Sequence, residues 1–475
     1  MDELGVGLVY WPGLEPLFEA GDLGLTSLEV EVEAFWFQDP DPDAPYRLDQ
    51  RAFRRIAALP QAKVVHGIGA PLGSCRAPDA RHLDAIATSL DLLGAHWYGE
   101  HLAFNRGLSA GQGFAAGFLL PPLQTAAGAA ATAATIRSVR QRLGVPIAVE
   151  TGVNYLRRQP WELDDGHFTA LVAEAADCDL LLDLHNVWTN ERNGRQGAAD
   201  FFDQLDATRV RELHLAGGFE YQGFWLDAHS GLVPEPVLDL ARDWVPRLPH
   251  LRAIHIEVLP QFIPGLDLKA LSTQLRRVQA IWATRGTAVQ APRVRPAPLA
   301  DAAAPGPEPP DCTPAGWEDT LAGLVAGVPL ATPAPWTADL ARDRAIALYT
   351  DLALTFRAGV VVEHLKMSSR YLMLTLDPDG FRRLLNAFWR EQTPEPFAAT
   401  ECRAFAAWLR RHGPPLPQLQ TLLDYDLALI GVSADDQTRV VRFDCEPLGL
   451  LRALGEGRLP GHLEPGDFEL ALTAG

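Results

Sequence analysis

Cysteine is scarce in this chain, which has five among its 475 residues. They are Cys75, Cys178, Cys312, Cys402 and Cys445. Their number is odd, their spacing is wide and none forms a Cys-x-x-Cys pair, so neither a disulfide framework nor a thiolate zinc site is expected. The sequence also lacks a leader with a charged start and an apolar run of about 18 residues, the length needed for a membrane span. We therefore expect a cytoplasmic protein without a membrane partner.

Positive charge is also in short supply. Lys and Arg number 41 against 60 Asp and Glu, which gives a formal net charge of -19. A chain of this balance lacks the broad basic surface that nucleic acid requires, so no nucleic-acid partner is expected. No Gly-x-Gly-x-x-Gly follows the first apolar run, which argues against a dinucleotide site and a doubly wound sheet.

The N-terminal part of the chain alternates short apolar, β-branched runs with longer stretches of helical spacing. The runs are Gly5–Tyr10, Ser27–Val32, Lys63–Gly67, Ala95–His101, Val145–Glu150, Leu180–Asp183, Val210–His214 and Arg252–Glu257. Strands that alternate with helices indicate βαβ units and a parallel sheet. Eight such units in fewer than 300 residues predict an α/β fold of the (β/α)8 TIM-barrel type.

A Pro/Ala-rich stretch without periodicity divides the chain. We assign residues 1–285 to the barrel, 286–316 to a semi-rigid linker and 317–475 to a second, smaller domain. The second domain shows helical stretches with aromatic spacing and then a strand followed by a short helix, which predicts an α+β domain with a Phe/Trp/Leu core.

Polar side chains stand at the end of one predicted strand after another. The candidates are His66, His101, Glu150, Asp183, His214, Asp227, His229 and Glu257. A single histidine at a strand end is more often a hydrogen-bonded core residue than a metal ligand. Because the carboxyl ends of barrel strands meet at one mouth, however, these side chains converge. Buried carboxylates in such number require compensating cations, and a metal site is therefore predicted.

The donor set narrows the metal. It consists of imidazole nitrogen and carboxylate oxygen without thiolate, which suits iron, manganese or zinc. Eight ligands are too many for one ion, so two or three ions with bridging carboxylates are expected. His255, two residues before the end of its strand, fits a structural role as well as a ligand role.

At these residues the chain resembles the multinuclear non-heme iron-dependent oxidative enzymes, the family of the methanobactin-biosynthesis oxidase. The resemblance runs from the start to about residue 285. It is carried by GVGLVYWP, HGIGAPLGS, GEHLAF, VPIAVETGVNY, LLLDLHNVWTN, ELHLAGG, LDAHSG and IHIEV, in that order. Each motif is modest alone, but their order and spacing together are specific.

The resemblance implies a TIM barrel with two or three irons in mixed Fe(II)/Fe(III) states that uses dioxygen to modify a ribosomally made precursor peptide at Cys or Asp/Asn. All eight candidates fall on the family's ligand motifs. Glu100, Asn154, His185 and Asn186 are expected beside the ligands or the substrate. Asn186 falls on the common Asp-x-Asn-Asn motif, in which His185 replaces the usual Asn. Thr151 replaces the Asn of a usual Glu-Asn pair, and Val258 and Leu259 stand where Trp-Asp is common.

The C-terminal part resembles, more weakly, the separate partner proteins that present the precursor peptide to these oxidases. A fused partner-like domain would replace the separate protein and hold the peptide at high effective concentration.

Other classes remain open. Barrels with His, Asp and Glu clusters also serve as trinuclear zinc endonucleases and metal-dependent sugar isomerases. The acidic balance disfavours the endonuclease, and the isomerase lacks an evident lysine acid, since the barrel's Lys63 and Lys269 do not follow a ligand strand. A metal-dependent peptide carrier without enzymatic activity is the third alternative.

Overall fold

The computed structural model describes residues 3–21, 23–38, 45–287, 306–329, 334–395 and 397–473. Its strands are β1 (Gly5–Val9), β2 (Ser27–Glu31), β3 (Trp36–Gln38), β4 (Tyr46–Leu48), β5 (Ala62–Gly67), β6 (Tyr98–His101), β7 (Phe104–Ser109), β8 (Gln112–Leu120), β9 (Ile147–Glu150), β10 (Asp179–Asp183), β11 (Val210–Ala216), β12 (Gly218–Tyr221), β13 (Phe224–Asp227), β14 (Ala253–Glu257), β15 (Arg439–Cys445) and β16 (Pro465–Leu472).

The α-helices are α1 (Glu15–Ala20), α2 (Gln50–Ala58), α3 (Ala80–Leu93), α4 (Ala126–Leu143), α5 (Asp165–Ala176), α6 (Leu184–Arg192), α7 (Ala198–Asp203), α8 (Glu235–Trp244), α9 (Leu268–Trp282), α10 (Pro314–Ala326), α11 (Pro335–Ala341), α12 (Arg344–His364), α13 (Lys366–Glu391), α14 (Ala398–His412), α15 (Leu419–Asp435) and α16 (Pro447–Gly455).

Eight strands close into a parallel barrel in the order β1-β14-β11-β10-β9-β6-β5-β2. Each of them lies within or overlaps one of the eight apolar runs, so the predicted TIM barrel is confirmed. The strands β2, β9 and β14 are buried on both faces, as parallel strands covered by helices must be, so their polar residues, such as Glu29 and His255, are buried as well.

Three antiparallel hairpins decorate the barrel at the carboxyl ends of its strands: β3–β4, β7–β8 and β12–β13. They follow β2, β6 and β11, and the sequence analysis did not predict them. Active sites of TIM barrels lie at this end of the strands. The hairpins therefore build up the wall around the candidate site.

After residue 306 the chain is mainly helical and carries one two-stranded antiparallel sheet, β15–β16. Residues 361–472 have an apolar core of their own, formed by α12 to α16 and the sheet. The preceding helices α10, α11 and the start of α12 instead share a core with the barrel hairpin β7–β8 and with the loop that follows β9. The second part of the molecule is thus partly built onto the barrel.

The proposed linker is described only in part, because residues 288–305 lie outside the described residues. Within 306–316, the amide of Gly306 donates to the carbonyl of Pro160 at 2.7 Å, and Cys312 is buried. Helix α10 begins at Pro314 behind the capping side chain of Thr313. The domain boundaries at 285 and 316 stay predictions.

One described helix, α12, is long and apolar enough to cross a membrane by length and composition. In the fold it packs against β8, α10 and α14. It also carries Arg357, which is buried in an ion pair with Glu401 at 2.8 Å.

Candidate metal centre

The eight predicted ligands lie at the carboxyl end of the barrel. His66, His101, Glu150, Asp183, His214 and Glu257 stand at or near the ends of β5, β6, β9, β10, β11 and β14. Asp227 ends β13, and His229 follows it with a left-handed φ of 46°. Such a backbone conformation is uncommon outside glycine and is found where a side chain must be aimed. We call these eight residues the mouth cluster.

The mouth cluster divides into three groups whose candidate ligand atoms lie within 4.8 Å of one another. The groups are His66, His101 and Glu150; then Glu150, Asp183, His214 and Glu257; then Asp183, Asp227 and His229. Glu150 belongs to the first two groups and Asp183 to the last two. A carboxylate can bridge neighbouring ions through both of its oxygens or through a single one, so each of these residues could be shared between two ions.

The distances in the cluster fit shared ions. The Nε2 atoms of His66 and His101 each lie 3.1 Å from Oε2 of Glu150. Nδ1 of His214 lies 3.1 Å from Oε2 of Glu257, and Nε2 of His229 lies 3.0 Å from Oδ1 of Asp227. Two ligand atoms that are each about 2.1 Å from one ion lie about 3.0 to 3.4 Å apart in octahedral or tetrahedral geometry.

Although some of these atoms lie within ion-pair distance of one another, several atoms of the cluster make no hydrogen bond of acceptable geometry among the described residues. They are Oε2 of Glu150, Oδ2 of Asp183, Oε2 of Glu257 and Nδ1 of His214, all buried. Leaving a buried polar atom unsatisfied is costly, and it costs more when the group is charged. The residues therefore fit a multinuclear metal centre of nitrogen and oxygen ligands.

Neighbouring carboxylates orient two of the histidines. Nδ1 of His101 lies 3.2 Å from both Oε1 of Glu100 and the carbonyl of Gly67, so this nitrogen carries the proton and Nε2 faces the cluster. On the other side, Nε2 of His214 lies 3.0 Å from Oε2 of Glu29, which leaves Nδ1 for the cluster. Carboxylate partners of this kind fix the tautomer and the ring plane of a metal-binding histidine.

His185 is engaged through both of its nitrogens. The indole N–H of Trp225 donates to Nε2 of His185 at 3.1 Å, so the proton of the ring is on Nδ1. Nδ1 in turn donates to Oδ1 of Asp227 at 3.2 Å. His185 thus holds Asp227 and has both of its nitrogens engaged, and its place beside the ligands stays a prediction.

A deeper group lies below the cluster inside the barrel: Glu29, Glu212, His214 and His255. Nδ1 of His255 lies 2.5 Å from Glu212, and its Nε2 lies 3.0 Å from the hydroxyl of Ser27. The indole N–H of Trp97 donates to the other oxygen of Glu212 at 2.7 Å. Both nitrogens of His255 are therefore occupied, and the geometry favours its structural role.

Charges in the cluster shift one another's protonation. Burial by itself would raise the pKa of Glu150, but the nearby His101 and His66 have the larger opposite effect and hold this pKa well below its usual range. Burial and the carboxylates of Asp227 and Glu257 raise the pKa of Asp183 well above its usual range. Burial lowers the pKa of His214, but Glu257 and Glu29 raise it well above normal. The raised pKa values of Asp183 and His214 favour the protonated forms of these groups, which offset the negative charge that bound cations would otherwise balance.

The other predicted residues lie around the cluster. Glu100 also accepts the hydroxyl proton of Tyr98 at 2.8 Å. The amide of Asn186 donates to the carbonyl of Thr151 at 3.1 Å, and its oxygen is buried without a partner among the described residues. The side-chain oxygen of Asn154 accepts the backbone N–H of Leu156 at 3.0 Å, and the place of Asn154 beside the ligands or the substrate stays a prediction.

Sequence reasoning did not single out three contributors to the site. Glu29 alternates with Glu31 and Glu33 in the sequence, and nothing in this pattern distinguishes it from the other two. Trp225 and Tyr155 were missed altogether, because they act through residues distant in the chain. Tyr155 accepts the backbone N–H of Asp227 at 3.1 Å.

The fold and the cluster define a (β/α)8-barrel protein with buried His and carboxylate groups that could bind several metal ions. Residues 28–282, just over half of the chain, match the family model described as RiPP precursor modification enzyme MbnB/TglH/ChrH. The chain belongs to this family of enzymes that act on ribosomally made precursor peptides, as the resemblance of its motifs predicted.

The chain is also similar to curated proteins. A UPF0276 protein of Streptomyces avermitilis is 34% identical over 196 residues, which span 41% of this chain and 40% of that protein. A second UPF0276 protein, NMB2142 of Neisseria meningitidis serogroup B, is 31% identical over 224 residues, or 46% of this chain and 78% of the relative. The chain thus spans less than half of the Streptomyces relative and most of the Neisseria relative.

The comparison with solved structures finds partial matches whose sequence identity to this chain is low. D-psicose 3-epimerase with D-tagatose from Clostridium cellulolyticum has a TM-score of 0.37 at 14% identity and covers 60% of this chain and 100% of its own. Endonuclease IV from Thermus thermophilus has a TM-score of 0.36 at 16% identity and covers 57% of this chain and 98% of its own.

Proposed function

We propose that this protein is a dioxygen-dependent multinuclear iron oxidase that modifies a Cys or an Asp/Asn residue of a ribosomally synthesised precursor peptide. The observation that carries the proposal is the overlap of three ligand groups through Glu150 and Asp183. The connected groups provide room for two or three ions, and their nitrogen and oxygen donors suit iron. The membership of the chain in a family of peptide-modifying enzymes supports a peptide as the substrate.

Each end of the cluster would hold one ion. His66, His101 and Glu150 would hold the first, and Asp183, Asp227 and His229 another. Glu150, Asp183, His214 and Glu257 lie between them and would hold a third ion or bridge the outer two. Bound iron in mixed Fe(II)/Fe(III) states would supply the redox chemistry with dioxygen.

The two ends differ from the middle in access to solvent. The side chains of His101, Asp227 and His229 are 19%, 22% and 18% exposed, whereas His214 is fully buried. A substrate side chain could therefore approach the outer groups, and the protein would exclude water from the middle one. Beside these outer groups, Glu100 would keep the proton of His101 on Nδ1, and His185 would donate the proton on its own Nδ1 to Asp227.

The C-terminal part would present the precursor peptide. Two features support this: residues 361–472 pack around a core of their own, and among the described residues the sheet β15–β16 consists of two strands, each with one outer edge. An extended peptide can add as a strand to such an edge. A domain carried on the same chain would take the place of a separate partner protein.

Metal analysis and oxygen uptake test the proposal. Protein purified with and without air should contain about two to three irons per chain, and addition of the precursor peptide should start oxygen consumption. A protein that is fully active with zinc alone would rule out the oxidase. Hydrolysis of a substrate under strict anaerobiosis would favour a zinc hydrolase, and peptide binding without turnover would favour a carrier.

A further inference from the structure

We propose that Glu318, Asp343 and Tyr349, on the helical segment after the barrel, are positioning residues of the metal centre. They contact the loops that follow the ligand strands β5 and β9 and, through Tyr155, the ligand Asp227 on β13. This inference rests on the proposed metal centre. It gives a supporting role to residues 314–353, which lie beyond the match to the family model.

Tyr349 reaches the cluster through one intervening residue. Its hydroxyl accepts the backbone N–H of Tyr155 at 3.1 Å, and the two rings meet edge to face with centroids 5.4 Å apart. The hydroxyl of Tyr155 in turn accepts the backbone N–H of the ligand Asp227 at 3.1 Å. Both tyrosines are buried, so neither hydroxyl can readily exchange its partner for water.

Asp343 holds the same loop a little further along. One of its oxygens accepts the backbone N–H of Arg157 at 3.0 Å, and the guanidinium of Arg157 lies 3.3 Å away. The other oxygen accepts the backbone N–H of Ala345 at 3.0 Å and thereby caps helix α12, which carries Tyr349. A single carboxylate therefore ties the start of α12 to the loop after Glu150.

Glu318 on α10 holds the loop after His66. It accepts from the backbone N–H of Cys75 at 2.5 Å, from the hydroxyl of Ser74 at 2.9 Å and from Arg76 at 2.9 Å. Two residues before Ser74 in the chain, the amide of Leu72 donates to the carbonyl of the ligand His101 at 2.9 Å. The loop to which Glu318 is hydrogen-bonded is thus itself hydrogen-bonded to the backbone of the ligand His101.

Apolar packing around these contacts gives them rigidity. Trp317 and Leu321 of α10 share a buried cluster with Phe104 and Leu120 of the hairpin β7–β8, and Tyr349 packs there with Phe224 of β13. Buried polar groups that are fully satisfied within a packed core fix one arrangement of the chain. Groups that are hydrogen-bonded to a ligand commonly change metal affinity by about 10- to 100-fold when they are removed. Tyr349 and Glu318 act through one further residue or loop, so we expect an effect at the lower end of that range.

The test compares buried residues of the same kind in the two cores of the C-terminal part. Tyr349→Phe removes only a hydroxyl, and Tyr371→Phe does the same in the separate core. Glu318→Gln removes the charge of a carboxylate with three donors, and Glu401→Gln is its match, since Glu401 is equally buried and pairs with Arg357. Metal per chain and the rate of metal release to a chelator are measured in the full-length protein, with Tm alongside.

Tyr349→Phe and Glu318→Gln should release metal about 10-fold faster than the wild type, whereas Tyr371→Phe and Glu401→Gln should lower Tm without faster release. The inference would be overturned if all four variants released metal at the same rate, or if Tyr349→Phe and Glu318→Gln released it at the rate of the wild type. In either case the proposed function would still stand, provided that the wild-type protein binds metal. A wild-type protein that binds no metal would overturn both.

Discussion

Oδ1 of Asp183 accepts the backbone N–H of Asn186 at 3.1 Å, while Oδ2 of the same carboxylate is buried without a hydrogen-bond partner among the described residues. Asp183 therefore caps helix α6 with one oxygen and offers the other to the mouth cluster. The helix start fixes the direction of the carboxylate, because the capping bond can form only in one rotamer range. Metal binding and helix capping are separable at this residue.

Asp183→Asn should keep the cap and lose the ligand. The amide oxygen can still accept from the backbone of α6, but the charge that two ion positions share is gone. We expect metal content to fall and turnover to be abolished, while the metal-free variant unfolds at the same temperature as the metal-free wild type. Metal analysis and thermal unfolding in the presence of a chelator measure the two effects.

Asp183→Ala is the matched comparison, since it removes both functions. Its metal-free form should be less stable than that of Asp183→Asn by about 1 kcal/mol, the usual contribution of an N-cap side chain. If both variants kept the metal content of the wild type, Asp183 would be a cap and not a ligand.

Trp225→Phe should loosen Asp227 without removing any ligand. The variant keeps an aromatic ring beside Arg192, which lies 4.5 Å from the Trp225 ring centre, but Nε2 of His185 loses its donor. The tautomer that donates to Asp227 is then no longer enforced, and metal affinity should fall by about 10-fold. Trp188→Phe is the control, because Trp188 packs against Trp225 with ring centroids 5.1 Å apart. Chelator titration of both variants distinguishes loss of the donor from loss of packing.

His101→Ala should lower the metal content and abolish turnover, because it leaves Glu150 less compensated at the first ion. His250→Ala should leave both nearly unchanged, since that exposed histidine contacts only the carbonyl of Thr208 among the described polar partners, at 2.7 Å. Equal loss in the two variants would indicate general destabilisation and no specific site.

Removal of the metal should destabilise the wild type and leave His101→Ala less affected. A ligand that binds only the folded state at about 100 times its Kd adds about 2.7 kcal/mol to stability. We expect Tm to fall on chelation and to recover when iron is added back. A Tm that does not respond to chelator in the wild type would contradict a metal centre whose charges balance the buried carboxylates.

The barrel could be predicted from the sequence because its signal is local. Each strand lies in a short run rich in apolar residues, and most of them carry a polar residue such as His66 or Glu150 at or near the end, which a simple apolar core does not require. The hairpin β7–β8 could not be predicted in the same way, because Phe104–Leu120 contains glycines and polar residues that also suit a loop.

The supporting residues around the cluster could not be predicted for a different reason. Tyr349 and Tyr155 are 194 residues apart, and nothing in the local pattern of either tyrosine indicates the other. The start of α10 at Pro314 was likewise concealed by the surrounding proline and alanine, although proline is common in the first turn of a helix. Contacts between distant segments appear only when the fold brings them together.

Shortened chains provide the last test, because they separate the two roles of the C-terminal part. A chain that ends at Thr287 loses every contact of α10 and α12 and exposes the apolar side of the hairpin β7–β8. We expect it to aggregate or to lose metal. A chain that ends at Phe356 keeps α10, α11 and Tyr349 but loses the separate core of residues 361–472. It should stay monomeric in gel filtration and hold the metal content of the full-length protein.

The chain that ends at Phe356 should nevertheless turn over the full-length precursor poorly, because it lacks the part of the chain that we propose to dock the peptide. Calorimetry should then detect binding of the precursor's leader segment to the full-length protein and not to this shorter chain. Loss of the tether removes the effective concentration that a linked domain provides, so turnover should recover only at much higher peptide concentration. Equal leader binding by both chains would exclude residues 361–472 as the docking surface. A soluble, metal-loaded chain ending at Thr287 would instead show that the barrel needs no support from α10 and α12.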